Sequence, residues 1–461
     1  MRQYLILPLS LATLLSCLFT ACSDDTPEPT PGPVVETIYG DLDFNQWIYA
    51  AMNRQYLWRE DLPDSLDCDY ELSPRDFFYS LLSDKDRFSY FTSNPYYNPT
   101  ESATQSGSLG FEYQEFRDAA GRKALNVLYV TAPEAHAAGL RRGDFVAVEN
   151  AGGGHVSLRR VACRNAAFSP TDESLEYAVD ATRAASSSSV LLDSIYTSGA
   201  KKIGYLCYLQ YDSPSDLYPA LGRFASEGIS ELILDLRYNP GGYVSTCKYL
   251  CNSIVPASGY DQIFQQCSYN SVLAAEYLQS TGSERTFSYF TACENRPDIL
   301  GSEFNFPLQL PRLIVLTSTR TASASEATVV CLRPYMDIVL IGETTIGKGV
   351  GSWTIYNSQF RYALQPITMR YYNSLGETTP DSGLTPDITV EGGYTTARAQ
   401  IGETTEPLLN EALHFIAPEG NWGAPDSSGG NLLGMPSASG AGLTPVGEPS
   451  YMEAFRAKGH N

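Results

Sequence analysis

Two short segments carry residues whose types could break an amide bond. Thr321-Ala322-Ser323-Ala324-Ser325-Glu326 places a serine at the mouth of a predicted helix, and Lys348 lies twenty-five residues beyond Ser323, between Gly347 and Gly349. A serine hydroxyl becomes a useful nucleophile when a neighbouring base takes its proton. Lysine can be that base, because burial disfavours the ammonium and lowers its pKa. Histidine is poorly supplied: the chain has His136, His155, His414 and His460, with none between Ser323 and residue 413. A Ser-His-Asp relay is recognised by geometry and not by chain order, so spacing alone does not exclude one. Each segment also has a plainer reading. Ser323 and Glu326 form the pattern of a helix capping box. Gly342 to Lys348 is a near miss to a phosphate-binding loop, but Gly349 stands where a Ser or Thr is needed. Residues from Val350 to Met369 then alternate like strands and do not open a helix.

A third segment supplies what an acyl-transfer serine needs. Glu231-Leu-Ile-Leu-Asp235-Leu236-Arg237 reads as a buried strand, Tyr238-Asn239-Pro240-Gly241-Gly242 as a sharp turn, and Lys248 to Ile254 as helix. Paired glycines at a strand-to-helix turn let backbone N–H groups aim at one point, as an oxyanion hole requires. Alone, such a sequence marks only a turn.

Together, Leu234-Asp-Leu-Arg-Tyr-Asn-Pro-Gly-Gly242, Thr321-Ala-Ser-Ala-Ser-Glu326 and Gly347-Lys-Gly349 resemble the C-terminal processing (tail-specific) serine peptidases of family S41. Trp47 to Trp58 with Asp86-Arg-Phe-Ser-Tyr90 is similar to that family's N-terminal helical segment, and Gly383-Leu-Thr-Pro-Asp-Ile388 to a motif near the end of its catalytic region. The likeness runs from about residue 43 to 417. It implies an α/β fold with a ClpP/crotonase-like catalytic core, Ser323 as nucleophile and Lys348 as general base. It also implies an oxyanion hole from the amide of Ala324 and one from Gly241 or Gly242. The family often places a lysine-orienting glutamine four residues past the base, and here that position is Ser352. The shorter side chain leaves open a second reading: a weak or inactive surface lipoprotein that binds peptides or glycans on a protease frame. The 31 tyrosines give that reading some support, since aromatic faces stack on sugars.

These residues need elements to position them. Helical stripes at Phe44, Trp47, Ile48, Ala51 and Tyr56, and a capped start at Ser73, predict a helical segment over 43–100. Residues 101–195 resemble a PDZ domain, with Ser108-Leu109-Gly110-Phe111 as the carboxylate loop and Ala138-Gly-Leu-Arg-Arg-Gly-Asp144 as its turn. PDZ domains bind an extended peptide end by adding it as a strand to a sheet edge. The resemblance assigns Leu109, Gly110 and Phe111 to that peptide site. Strand and helix patterns alternate over 196–417, the catalytic region, and Gly, Ser and Pro dominate 418–461, which reads as a disordered tail.

The formal net charge of −21 and the lack of a basic cluster count against a nucleic-acid partner; the family resemblance implies a protein or peptide substrate. Residues 1–22 read as a lipoprotein signal peptide: Tyr4 to Phe19 is apolar, and Leu18-Phe-Thr-Ala-Cys22 resembles a bacterial lipobox. Cys22 would then carry a lipid, and 23–42 would be an acidic, Pro-rich tether holding an exported enzyme to the cell-envelope membrane. Ten cysteines without a CxxC pair do not suggest zinc, and no cofactor or metal is implied. Cys247 and Cys251 share a predicted helix and read as two buried thiols.

Overall fold

Phe44, Ile48, Ala51 and Met52 recur at helical spacing, and all are buried along α1 (Asp41–Gln55). Their stripe meets Phe77 and Phe78 of α2 (Pro74–Ser80). Ser73 opens α2, accepting from the Asp76 N–H at 3.2 Å, with Pro74 in the first turn. The computed structural model describes residues 40–92, 109–179, 188–292, 306–357, 362–390, 399–425 and 443–445. The expected signal peptide with Cys22, and the tether up to residue 39, lie outside the described residues; residues 41 and 42 already belong to α1. After α2 the chain enters β1 (Tyr90–Thr92), which pairs antiparallel with residues 363–365 of the large domain.

The next module is an antiparallel sheet, β2 (Phe111–Arg117), β3 (Lys123–Val130), β4 (Phe145–Gly152), β5 (His155–Arg164) and β6 (Ala167–Ala178), in that spatial order. A short helix, α3 (Pro133–Ala137), packs on Val127, Val146 and Leu158 through Ala135. It is the module's one helix among the described residues. Phe111 opens β2, and Leu109 and Gly110 form the turn before it.

The large domain begins earlier than residue 196. β7 (Val190–Ser198) already belongs to its sheet as an antiparallel edge, because Ile195 packs on one face and Leu192 and Tyr196 on the other. The strands that follow are β8 (Lys201–Tyr208), β9 (Glu231–Asp235), β12 (Arg312–Thr317), β13 (Asp337–Gly342) and β18 (Ile388–Thr389), mutually parallel in the order β7-β8-β9-β12-β13-β18. Parallel strands buried on both faces read as continuous apolar runs. Leu232, Leu234, Leu313 and Val315 face α4 (Tyr218–Glu227), α5 (Val244–Ile254) and α7 (Ala324–Leu332). Ile233, Ile314, Leu316 and Ile341 face α8 (Pro407–Ile416). A second sheet, β11 (Thr286–Tyr289), β10 (Ile263–Ser268), β17 (Ile367–Tyr372) and β14 (Val350–Ser352), flanks this core, with α6 (Ser271–Thr281) beside it. β15 (Ile355–Asn357) and β16 (Tyr362–Gln365) complete a ribbon with β1. The architecture is α/β with an N-terminal helical segment.

The tail reading over 418–461 is corrected in two places. Trp422 is buried against α8 and donates to the Ala417 carbonyl at 2.9 Å. Residues Thr444–Pro445 form β19, antiparallel to the outer edge of β2.

Candidate active site

Strands β9, β12 and β13 are parallel neighbours, so the loops leaving their carboxyl ends emerge side by side. The β9 loop carries Asn239-Pro240-Gly241-Gly242, the β12 loop carries Ser323, and the β13 loop carries Lys348. Carboxyl ends of parallel strands are where open α/β sheets place their ligands. Three segments far apart in sequence therefore meet because three strands are adjacent.

Ser323 sits at φ +56°, ψ −114°, immediately before α7. A non-glycine residue is strained there, as at a nucleophile elbow, and the turn lifts the side chain off the helix. The capping-box geometry is present, yet only the Glu326 arm is a full hydrogen bond, from the Ser323 N–H to Oε2 at 2.9 Å. The Ser323 hydroxyl makes no cap hydrogen bond, so it is left for chemistry. Gly241 presses on this elbow: a Cβ there would lie 2.8 Å from Ser323 Cβ and 2.9 Å from the Ala324 nitrogen. At Gly242 a Cβ would come within 2.3 Å of the Tyr211 carbonyl oxygen, and φ is +139°. The Gly241 N–H donates to Asn239 Oδ1 at 2.8 Å, whereas Gly241 O and the Tyr243 N–H hold Tyr211. Of the two glycine amides expected at an oxyanion hole, Gly241 is thus engaged locally.

A single carboxylate ties the serine to the lysine. Glu326 is fully buried and accepts from the N–H groups of Ser323 (2.9 Å), Gly347 (2.7 Å) and Lys348 (2.8 Å), and from Thr345 Oγ1 (2.5 Å). The Tyr371 hydroxyl adds a second tie, donating to the carbonyls of Lys348 (2.8 Å) and Ser323 (3.2 Å). Burial pushes the Glu326 carboxyl up, while these hydrogen bonds pull it back toward the carboxylate. Lys348 is buried, its Nζ 5.4 Å from the centre of the Phe88 ring. Burial drives its ammonium down to about 8, against smaller upward pulls from Glu326 and Asp86. Asp86 is itself fixed by Tyr56 Oη (2.8 Å) and Ser89 Oγ (2.5 Å), so the N-terminal segment forms one wall around the lysine. Ser352, expected as the lysine-orienting residue, lies on β14 with its Oγ accepting from Gln365 Nε2 at 3.1 Å.

Beneath the oxyanion turn lies a buried ionic cluster. Arg237 bonds Asp235 through Nε (2.9 Å) and Glu406 through both Nη groups (2.5 and 2.8 Å). Arg142, from the turn before β4 in the PDZ-like module, reaches Glu406 at 3.3 Å and the Ala399 carbonyl at 2.6 Å. Two guanidinium groups thus face two carboxylates: burial pushes the Glu406 carboxyl up, and Arg237 and Arg142 together pull it below its ordinary value. Cys247 and Cys251 are buried thiols, and Cys247 Sγ donates to the Ala324 carbonyl at 3.3 Å. Of the histidines, His414 bonds the Asn410 carbonyl at 2.9 Å on α8, while His136 and His155 belong to the PDZ-like module.

Sequence reasoning missed Glu326 as anything beyond a helix cap, and missed Tyr371, Asp86 and Arg142. One signal was available for Glu326: it is the only charged residue in α7, Ala-Ser-Glu-Ala-Thr-Val-Val-Cys-Leu332, and an acid in an apolar helix needs buried partners.

A strained serine, two amides beside it and a buried lysine, all at the carboxyl ends of a parallel sheet, are the parts of an α/β serine-hydrolase site. The Peptidase family S41 model matches residues 202–390, and the Peptidase S41 N-terminal domain model matches residues 43–90. The chain belongs to peptidase family S41. It is 24% identical over 234 residues to a carboxyl-terminal-processing protease of Picosynechococcus sp., covering 49% of this chain and 48% of that protein. It is 26% identical over 154 residues to the chloroplastic carboxyl-terminal-processing peptidase 1 of Arabidopsis thaliana, covering 33% of this chain and 26% of that protein. The chain thus spans about half the length, or less, of these curated relatives. Its fold is like that of a crystallised Bacteroides fragilis protein assigned to the S41 proteases, with a TM-score of 0.64 at 24% identity, over 81% of this chain and 97% of that one.

Proposed function

We propose that this chain is a serine endopeptidase cleaving protein or peptide substrates near their carboxyl termini, with Ser323 as nucleophile and Lys348 as general base. Neutral Lys348 takes the Ser323 hydroxyl proton as Oγ attacks the scissile carbonyl carbon. The Ala324 and Gly242 amides receive the oxyanion. Lys348 then protonates the leaving amine, the C–N bond breaks, and an acyl-serine remains. Water gives a proton to Lys348 as it attacks the ester carbonyl carbon; Lys348 then returns that proton to Ser323 Oγ as the ester C–O bond breaks, which releases the acid product and restores both groups.

The observation that carries this reading is the Glu326 carboxylate, which accepts from the backbone N–H groups of both Ser323 and Lys348 and so holds the two segments together. Peptide turnover by Ser323→Ala, Lys348→Ala and the double variant tests it. Each single variant should lose activity and the double should be no worse, because groups acting as a unit are non-additive. A single variant keeping more than about a hundredth of the rate would defeat the pairing, since a general base contributes ~10²–10⁴-fold.

The PDZ-like module, where Leu109, Gly110 and Phe111 lead into β2, would hold the extended end of the substrate. Cys22 would be acylated and anchor the exported chain to the cell-envelope membrane. Wild type should then partition into detergent and Cys22→Ala should not; equal partition of both would refute the anchor.

A further inference from the structure

The sheet of the PDZ-like module does not end at β2. Residues Thr444–Pro445 lie against its outer edge in antiparallel register, Thr444 opposite Arg117 and Pro445 opposite Phe116. An edge strand offers a row of N–H and C=O groups that pairs with whatever extended chain is near. Here the nearby chain is the protein's own carboxyl-terminal segment. Because Pro445 has no N–H, Thr444 is the residue able both to donate to and to accept from β2. Preceding it, Leu443 is buried in a pocket formed by Phe116, Ala124, Phe145, Ala166 and Phe168. The aromatic walls come from β2, β4 and β6 of one sheet, and Leu443 packs among them.

The direction of this strand is informative. Running antiparallel to β2, β19 advances from Arg117 toward Phe116, and so toward the Leu109-Gly110 end where the PDZ-like reading places a peptide carboxylate. Any extended peptide docking with its end at Gly110 would run the same way along the same edge. Both cannot hold the Phe116–Arg117 positions together.

We infer that the outer edge of β2, with its Phe116–Phe145–Phe168 pocket, is a docking site for extended peptide segments bearing an aliphatic side chain, and that residues 443–445 occupy it as a resident competitor. An incoming peptide must displace a tethered strand whose effective concentration is in the millimolar range, so weak segments are rejected. Only segments that fill the leucine pocket and continue along β2 exchange with the tail. The inference does not depend on Ser323 or Lys348.

Amide hydrogen exchange along Glu115–Arg117 tests it without any turnover measurement, so its failure is distinguishable from failure of the peptidase reading. Two variants release the edge: Leu443→Asp in the full chain, and a chain ending at Ser437. Exchange at β2 should rise about tenfold or more in both, while amides of β9 stay protected, since lost strand pairing opens the edge locally and not globally. A synthetic peptide of residues 440–448 (Gly-Ala-Gly-Leu-Thr-Pro-Val-Gly-Glu), at ~5 mM, should restore protection in the shortened chain, because the tether's concentration is of that order. The same peptide with Leu443→Asp should not. Unchanged β2 exchange in both variants would show that the tail is not seated, and overturn the inference. Faster exchange that the wild-type peptide fails to reverse would overturn the docking site.

Discussion

Replacing Lys348 by methionine should make the protein more stable near neutral pH and, by the proposed mechanism, inactive. The lysine's ammonium is held at about 8 against an ordinary 10.5. That gap of about 2.5 units corresponds to roughly 3.4 kcal/mol at ~1.36 kcal/mol per unit. The sign follows from proton counting. Below pH 8 both states carry the proton, and the folded state bears the full penalty of a buried cation. Between 8 and 10.5 only the unfolded chain holds it, so stability rises with pH, and above 10.5 the penalty is gone. Denaturant unfolding of wild type and Lys348→Met across pH 6–11 should therefore show the variant ahead by up to about 3 kcal/mol at pH 7, converging near pH 11. The rate obeys the same titration. Neutral lysine is about a tenth of the population at pH 7 and about nine tenths at pH 9, so wild-type kcat/KM should climb about tenfold and then level off. A rate that keeps rising tenfold per unit through pH 10 would mean an ordinary, hydrated lysine. A midpoint near 6.5, or a methionine variant no more stable than wild type at pH 7, would refute the buried-base argument.

Glu326→Gln leaves an NH₂ where one oxygen accepted two donors, orphaning two buried groups at ~1–3 kcal/mol each. It should lose about 2–5 kcal/mol in denaturant unfolding and most of its kcat, with the rate midpoint shifted below wild type because a negative neighbour of Lys348 is gone. Gly241→Ala would drive a methyl to 2.8 Å from Ser323 Cβ at a φ of +110°, and kcat should drop by two orders of magnitude or more. An active Gly241→Ala enzyme would mean the elbow moves freely. Arg142→Met removes one of two cations facing Glu406, and breaking such a pair from one side costs about 3–5 kcal/mol. A melting temperature unchanged within a degree would show the cluster to be hydrated.

Local pattern made much of the fold legible. Helical stripes located α1 and α2, apolar runs located β9 and β12, and Asn239 to Gly242 announced a turn whose Gly241 lies against the serine elbow. The residues that hold the site together were hidden for a physical reason. Glu326 looks like a helix cap because its nearest partner is three residues away, whereas Gly347 and Lys348 become partners only when β12 and β13 pair. Arg141 and Arg142 are adjacent and identical in type, yet only Arg142 is buried, a choice made by α8 and Glu406 far along the chain. The boundary expected at 195/196 cuts through β7, because an edge strand's membership depends on which sheet receives it. β19 escaped notice because two residues in a Gly- and Ser-rich stretch have no periodicity to read. Ser352, which stands where the family often has a lysine-orienting glutamine, accepts from Gln365 through its hydroxyl, a partner that comes into reach only when the chain folds back after β14.

Ser323 at φ +56° has an evolutionary consequence. Backbone strain of that kind costs a non-glycine residue about 1–3 kcal/mol, and glycine at the same position would relieve it. Drift at position 323 therefore has a preferred direction, away from serine, and drift at position 348 has one away from lysine. A domain lies only ~5–15 kcal/mol from unfolding, so a lineage that used this frame merely to hold ligands would gain a useful margin by shedding both residues. This chain has both residues, and the buried Glu326 ties their backbones together. Two destabilising residues side by side are what the proposed chemistry requires of this frame, and what a mere ligand holder would do without.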